Sequence, residues 1–95
     1  MKIISFEILA NYFQKHAETK RPLIAWYNIV LGSNWNMPHD VKHQFKTASF
    51  LKNNRVVFNI KGNKYRLVVD IAYKTQIVFI YFFGTHSEYD KMKFE

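Results

Sequence analysis

The stretch Arg55–Phe83 reads RVVFNI-KGN-KYRLVVDIAY-KT-QIVFIYFF, and its period decides the fold class. Val56, Phe58 and Ile60 alternate against Arg55, Val57 and Asn59, a period of two that predicts a β-strand. Lys61, Gly62 and Asn63 read as a tight turn, because Gly and Asn tolerate the positive φ that hairpins demand. A second strand, Lys64 to Tyr73, places Tyr65, Leu67, Val69 and Ile71 on one face and Lys64, Arg66, Val68 and Asp70 on the other, so Tyr65 is expected in the core. Lys74 and Thr75 turn the chain again. Gln76 to Phe83 is so apolar on both sides that it is expected to lie centrally in the sheet, covered on each face or at a dimer contact, with Gly84 ending it. The result is an antiparallel meander.

Outward from the meander the period changes. Met1 to Ile4 read as a short opening strand, and Ser5 offers a hydroxyl for an N-cap. Phe6, Leu9, Ala10 and Phe13 then recur at helical spacing to about His16. Pro22 suits the first turn of a second helix, whose apolar face is Leu23, Trp26, Tyr27, Val30 and Leu31 and whose terminator is Gly32. These two form a helical hairpin. Asn34 to Met37 read as loop, Pro38 to Gln44 or Phe45 as a short third helix, and Thr47 to Asn54 as a connection into the sheet. The polar tail from Thr85 to Glu95 has the composition for a last helical turn around Ser87 to Lys91. The predicted class is α+β: an antiparallel sheet with an N-terminal helical hairpin packed on it.

The 95 residues fit one domain, 1–95, which excludes a two-domain enzyme, and 48% hydrophobic with 18% aromatic residues supply a real core. Cysteine is absent, which excludes disulfides and thiol nucleophiles and leaves any metal to His and carboxylates. The longest apolar run, Ile77 to Gly84, falls far below the roughly 18 residues of a membrane span, and Glu7 interrupts any signal-peptide core. A cytoplasmic protein without a membrane partner is expected.

Fourteen basic against seven acidic residues give a net charge of +7. Its placement matters more than its size. No carboxylate lies between Asp40 and Asp70, where Lys42, Lys46, Lys52, Arg55, Lys61, Lys64 and Arg66 hold half the basic residues. Mutual repulsion of that kind is best relieved by a polyanion, so nucleic acid leads the partners; the plainer reading is solvated surface lysines. With Asn63 at the turn and Lys91 in the tail, these side chains are the candidate RNA contacts.

Lys64 and Arg66 share one strand face two residues apart and suit a phosphate, the alternative being an edge strand kept soluble by charge or an Arg66–Asp90 pair. Just beyond the third strand, His86, Tyr89 and Lys91 put an imidazole, a phenol and a cation into one short segment. Cleaving RNA without metal requires deprotonation of the 2′-hydroxyl, positive charge against the phosphorane and protonation of the leaving 5′-oxygen. Lys64, Arg66, His86 and Tyr89 have the chemistry to divide that work; a capping or core-edge role is the alternative for His86. His39-Asp40-Val41-Lys42-His43 imitates a zinc signature without a third ligand, and two surface histidines are the favoured reading. Trp35, in a polar loop, is a candidate for stacking on a base.

The combined segments resemble the HigB toxin family, within the RelE-like group of bacterial messenger RNA interferases. The resemblance rests on Ala25-Trp26-Tyr27, on Val57-Phe58-Asn59-Ile60, on Gly62-Asn63-Lys64-Tyr65-Arg66-Leu67-Val68, and on Gly84-Thr85-His86 with Glu88-Tyr89-Asp90-Lys91. It runs over nearly the whole chain in the same order. The resemblance implies an antiparallel sheet flanked by helices and a toxin that cuts messenger RNA on the translating ribosome, with no cofactor. It also implies a HigA-type antitoxin, through which alone DNA is contacted. Lys64, Arg66, His86 and Tyr89 fall on the motif and carry over as catalytic candidates. A non-catalytic RNA- or ribosome-binding module and a degenerate toxin kept as an interaction protein are the competing readings.

Overall fold

The period-two segments pair as their patterning requires, and they do so inside a larger sheet. In the computed structural model, which describes residues 1–94, the chain runs β1 (Lys2–Ile4), α1 (Glu7–Lys15), a 3-10 turn (Ala17–Thr19), α2 (Lys20–Leu31), α3 (Pro38–Gln44), β2 (Ser49–Phe50), β3 (Arg55–Ile60), β4 (Tyr65–Ala72), β5 (Ile77–Thr85) and α4 (His86–Met92). Glu95, the end of the polar tail, lies outside the described residues. The sheet order is β1-β5-β4-β3-β2, antiparallel except that β1 joins β5 in parallel. Because β1 and β5 run the same way, the helical hairpin and the meander both lie between them in sequence.

One sheet face carries the core. Val56, Phe58 and Ile60 of β3, Tyr65, Leu67, Val69 and Ile71 of β4, and Val78, Ile80 and Phe83 of β5 pack with Leu9 of α1 and with Leu23, Trp26 and Val30 of α2. Burying each large aliphatic or aromatic side chain contributes about 1.5–3 kcal/mol. That packing, more than intrinsic propensity, holds helices as short as α1.

Several expectations are corrected. Ser5 does not cap α1: it sits at φ 71°, outside the extended region an N-cap needs, and Phe6 occupies the cap position without a side-chain hydrogen bond. The connection from Thr47 to Asn54 contains β2, which forms a hairpin with β3 because Asn53 (φ 60°) and Asn54 (φ 63°) both accept the left-handed conformation. Gly84 does not end β5, which continues to Thr85. β4, not β5, is the central strand. β5 is interior, but Phe79 and Tyr81 on its other face are 40% and 53% exposed, so it is not covered on both faces.

A bulge explains the composition of β5. Val69 pairs with Ile80 and Val68 with Phe82, leaving Tyr81 as the extra residue. The parity of the strand therefore changes at Tyr81, and Val78, Ile80 and Phe83 all reach the core although they do not alternate strictly. Phe82 points to the opposite face, where it meets Phe94 at 5.4 Å between ring centroids. Trp35 is the plainest correction: it is 1% exposed, its indole N–H donates to Gln44 Oε1, and its ring packs with Phe45 and Phe58. It is a core residue, unavailable to a base.

Candidate functional site

The site is built at one end of the sheet, where the β3–β4 turn, the last residues of β5 and the start of α4 meet. Asn59, Arg66 and Gly84 stand abreast on β3, β4 and β5, on the face opposite the main core. Two residues further, the His86 backbone N–H donates to the Lys64 carbonyl at 3.0 Å. The backbones of Lys64, Arg66 and His86 are thus brought together, with Arg66 and His86 separated by about the 7–8 Å of a cross-strand diagonal.

Arg66 is half-buried, and its Nη1 donates to the Asn63 and Tyr65 carbonyls at 3.2 and 3.4 Å. Among the described residues no carboxylate pairs with it, so the expected Arg66–Asp90 pair does not form. Asp90 lies instead 3.0 Å from His86 Nδ1, one helical turn away. A proton on Nδ1 satisfies that carboxylate and leaves the Nε2 lone pair free. Tyr89 is half-buried and stacks on Phe94 at 5.3 Å with the rings 15° apart. Lys64 is exposed. Beside Arg66 a shallow hollow of about 300 Å³ is lined by Thr47, Asn59, Gly62 and Asn63.

Local sequence explains why α4 starts where it does. The Thr85 hydroxyl accepts from the Glu88 N–H at 3.1 Å, and Glu88 Oε1 accepts from the Thr85 N–H at 2.7 Å, a complete capping box. Tyr12 of α1 donates its hydroxyl to the same Oε1 at 3.2 Å. The Thr85 N–H, helped by the Tyr12 hydroxyl, holds the Glu88 carboxyl below its usual range, while burial and the adjacent Glu88 charge push the Tyr12 phenol up to about 12. A parallel strut runs from Tyr65, as buried as its strand face predicts, to Glu18 at 2.8 Å. The hydrogen bond raises the Tyr65 phenol and lowers the Glu18 carboxyl. The T-x-x-E spacing from Thr85 to Glu88 and the i,i+4 spacing of His86 and Asp90 signal this arrangement in the sequence, and Asn59, Thr85, Glu88 and Asp90 join the site on structural grounds.

The structure divides the candidate RNA contacts. Lys61 and Asn63 flank the site in the β3–β4 turn. Lys42 and Lys46 instead line a separate hollow with His39 and His43 on and after α3, and the Lys42 ammonium donates to the Ala48 carbonyl at 2.8 Å. Lys52 and Arg55 lie at the far end of β3. Arg55 is paired with Asp70 at 2.8 Å and stacked 4.3 Å from the Tyr81 ring centre. Lys91 is exposed on α4. Among the described residues no group of three or more His, Cys, Asp or Glu stands together to hold a metal ion, and no helix is long and apolar enough to cross a membrane.

A mostly antiparallel sheet with helices on its core face, a short helix closing one end, and an unpaired arginine beside an imidazole define the class as a RelE-like α+β protein. Within that class the chain belongs to the HigB toxin family, described as the RelE-like toxic component of a toxin-antitoxin system, whose model matches residues 19–92. It is also similar to the mRNA interferase toxin HigB of Escherichia coli K12 and to the mRNA interferase HigB of Shigella flexneri. Each of these is 28% identical over 92 residues, covering 95% of this chain and 88% of the relative. A toxin of such a system has an antitoxin as its partner.

Proposed function

We propose that residues 1–95 form one toxin domain that cleaves messenger RNA on the translating ribosome in the bacterial cytoplasm. In this reading a HigA-type antitoxin neutralises it and provides the only link to DNA. The observation that carries the reading is the pairing of Arg66 with Gly84 and of the Lys64 carbonyl with the His86 N–H, which sets a guanidinium without a carboxylate partner next to an imidazole with a free Nε2. His86 Nε2 takes the proton of the ribose 2′-hydroxyl as its oxygen attacks phosphorus. Arg66 and Lys64 offset the charge of the phosphorane, and Tyr89 returns a proton to the departing 5′-oxygen. One phosphorus–oxygen bond forms and one breaks, giving a 2′,3′-cyclic phosphate and a 5′-hydroxyl. No strong base is in the set, so RNA already held by the ribosome accounts for much of the rate through orientation.

The test is induction of the wild-type chain, Arg66→Ala and His86→Ala, with the 5′ ends of cellular transcripts mapped. Wild type should create new ends within codons and arrest growth, and each folded variant should cut about 10²-fold or more slowly. Arrested translation with intact messages would replace the enzyme by a ribosome-binding module. Undiminished cutting by both variants would refute the site.

A further inference from the structure

The face that carries Arg66 has a second, larger hollow of about 440 Å³, between the β2–β3 turn, the outer face of β3–β5 and the end of α4. We propose that this hollow is a second nucleotide subsite, where a base of single-stranded RNA stacks against Tyr81 and its phosphates lie between Lys52 and Lys93. The inference rests on the reading above and names a place where the message is gripped away from the bond being cut.

Three observations carry it. Tyr81 is 53% exposed, an unusual state for an interior strand, and it is the bulged residue of β5, so the strand irregularity itself presents the ring. Its orientation is fixed: Arg55 lies 4.3 Å from the ring centre, Phe94 meets it edge-on at 5.9 Å, and Asp70 clamps the guanidinium through Nε at 2.8 Å and Nη2 at 3.2 Å. A rigid aromatic needs little ordering when a base stacks on it. The rim is cationic, with Lys52 and Lys93 free of ion pairs among the described residues and Asp70 already neutralised by Arg55.

Position favours RNA over the other occupants. Asp70 lies four residues along β4 from Arg66 on the same face, about 13 Å at 3.3 Å per residue, a distance that a short extended strand spans. A second copy of the chain would set one +7 molecule against another at its basic face. An acidic peptide would satisfy the lysines and is the alternative that the test separates.

The experiment titrates a labelled single-stranded octaribonucleotide into the folded chain and into Tyr81→Ala, Tyr81→Phe and Lys52→Ala/Lys93→Ala, with circular dichroism checking the fold. Cleavage of a translated message is measured in parallel as kcat and KM. Tyr81→Ala should weaken binding about 5- to 100-fold, and Tyr81→Phe should restore it, since stacking needs the ring and not the hydroxyl. The lysine pair should flatten the dependence of log affinity on log salt by about one unit. KM should rise for Tyr81→Ala with kcat kept. Binding by Tyr81→Ala within twofold of wild type, or loss in Tyr81→Phe equal to that in Tyr81→Ala, overturns the inference. So does loss of antitoxin binding alone, which would make the hollow a protein-docking site. If wild type cleaves no message, the proposed activity fails, and the titration still decides the subsite.

Discussion

Replacing Gly84 with alanine would put a Cβ 2.7 Å from Glu88 Oε1 and 2.8 Å from Phe82 Cζ. Neither neighbour yields freely: Phe82 is packed on Phe94, and Glu88 Oε1 accepts from both the Thr85 N–H and the Tyr12 hydroxyl. The carboxylate is the softer of the two, so the variant should expel it from the capping box. Losing a cap costs about 1 kcal/mol, and losing the phenol hydrogen bond costs about 0.5–1.5 kcal/mol. Gly84 is not at positive φ, so alanine also gains about 0.4–1 kcal/mol by restricting the unfolded chain. The net loss is about 1–2 kcal/mol, a fall of roughly 5–10 °C in the melting temperature of a domain this size. The damage should concentrate in α4, which is too short to persist uncapped, and His86 and Tyr89 would be displaced with it. Urea unfolding and amide exchange measure both effects. In the cycle Gly84→Ala, Glu88→Ala and the double variant, the clash with Glu88 disappears once that side chain is gone, so the two losses should fall short of additivity by about 1 kcal/mol. Additivity within about 0.3–0.5 kcal/mol, or unchanged α4 protection in Gly84→Ala, would refute the reasoning.

Acid stability should depend on Glu88 and Glu18. Both carboxyls are lowered in the folded state, so their contribution is present above the ordinary value of 4.5 and is lost as pH falls through the folded values; Glu88→Gln should flatten that limb in acid unfolding. Tyr12 acts at the other extreme. Its phenol is raised from 10.0 to about 12, so its contribution is complete below pH 10 and disappears as pH climbs towards 12; Tyr12→Phe should remove that alkaline transition. Trp35→Ala should cost about 3–5 kcal/mol in urea unfolding, while folded Trp35→Phe should bind the octaribonucleotide as wild type does. Asp90→Ala frees Nδ1 of His86 and should lose part of the roughly 10² to 10⁴ that a positioned acid–base group supplies. A positioning role further requires that the loss fall on kcat and that the pH–rate profile change; an unchanged profile would make Asp90 a surface residue.

The local pattern of the chain determined the meander, the turns at Gly62 and Lys74, the three N-terminal helices and the face on which Tyr65 and Arg66 lie. Each follows from a period of two or 3.6, or from residues that tolerate a particular φ, and such rules act over a few neighbours. The parity of β4 together with the Gly84-Thr85-His86 segment also placed the candidate cations and the imidazole near one sheet end. Only the tertiary structure decided what depends on residues far apart in the chain. Trp35 sits in a polar loop by sequence, yet Phe45 and Phe58 close over it and Gln44 takes its N–H, because a large apolar ring gains more from burial than from the solvent its neighbours suggest. Charge pairing shows the same limit: Asp70 opposes Arg55 through strand register and Asp90 pairs with His86 through one helical turn, which leaves Arg66 unclaimed. Which carboxylate reaches which cation is set by distances across the sheet, and composition carries no distances.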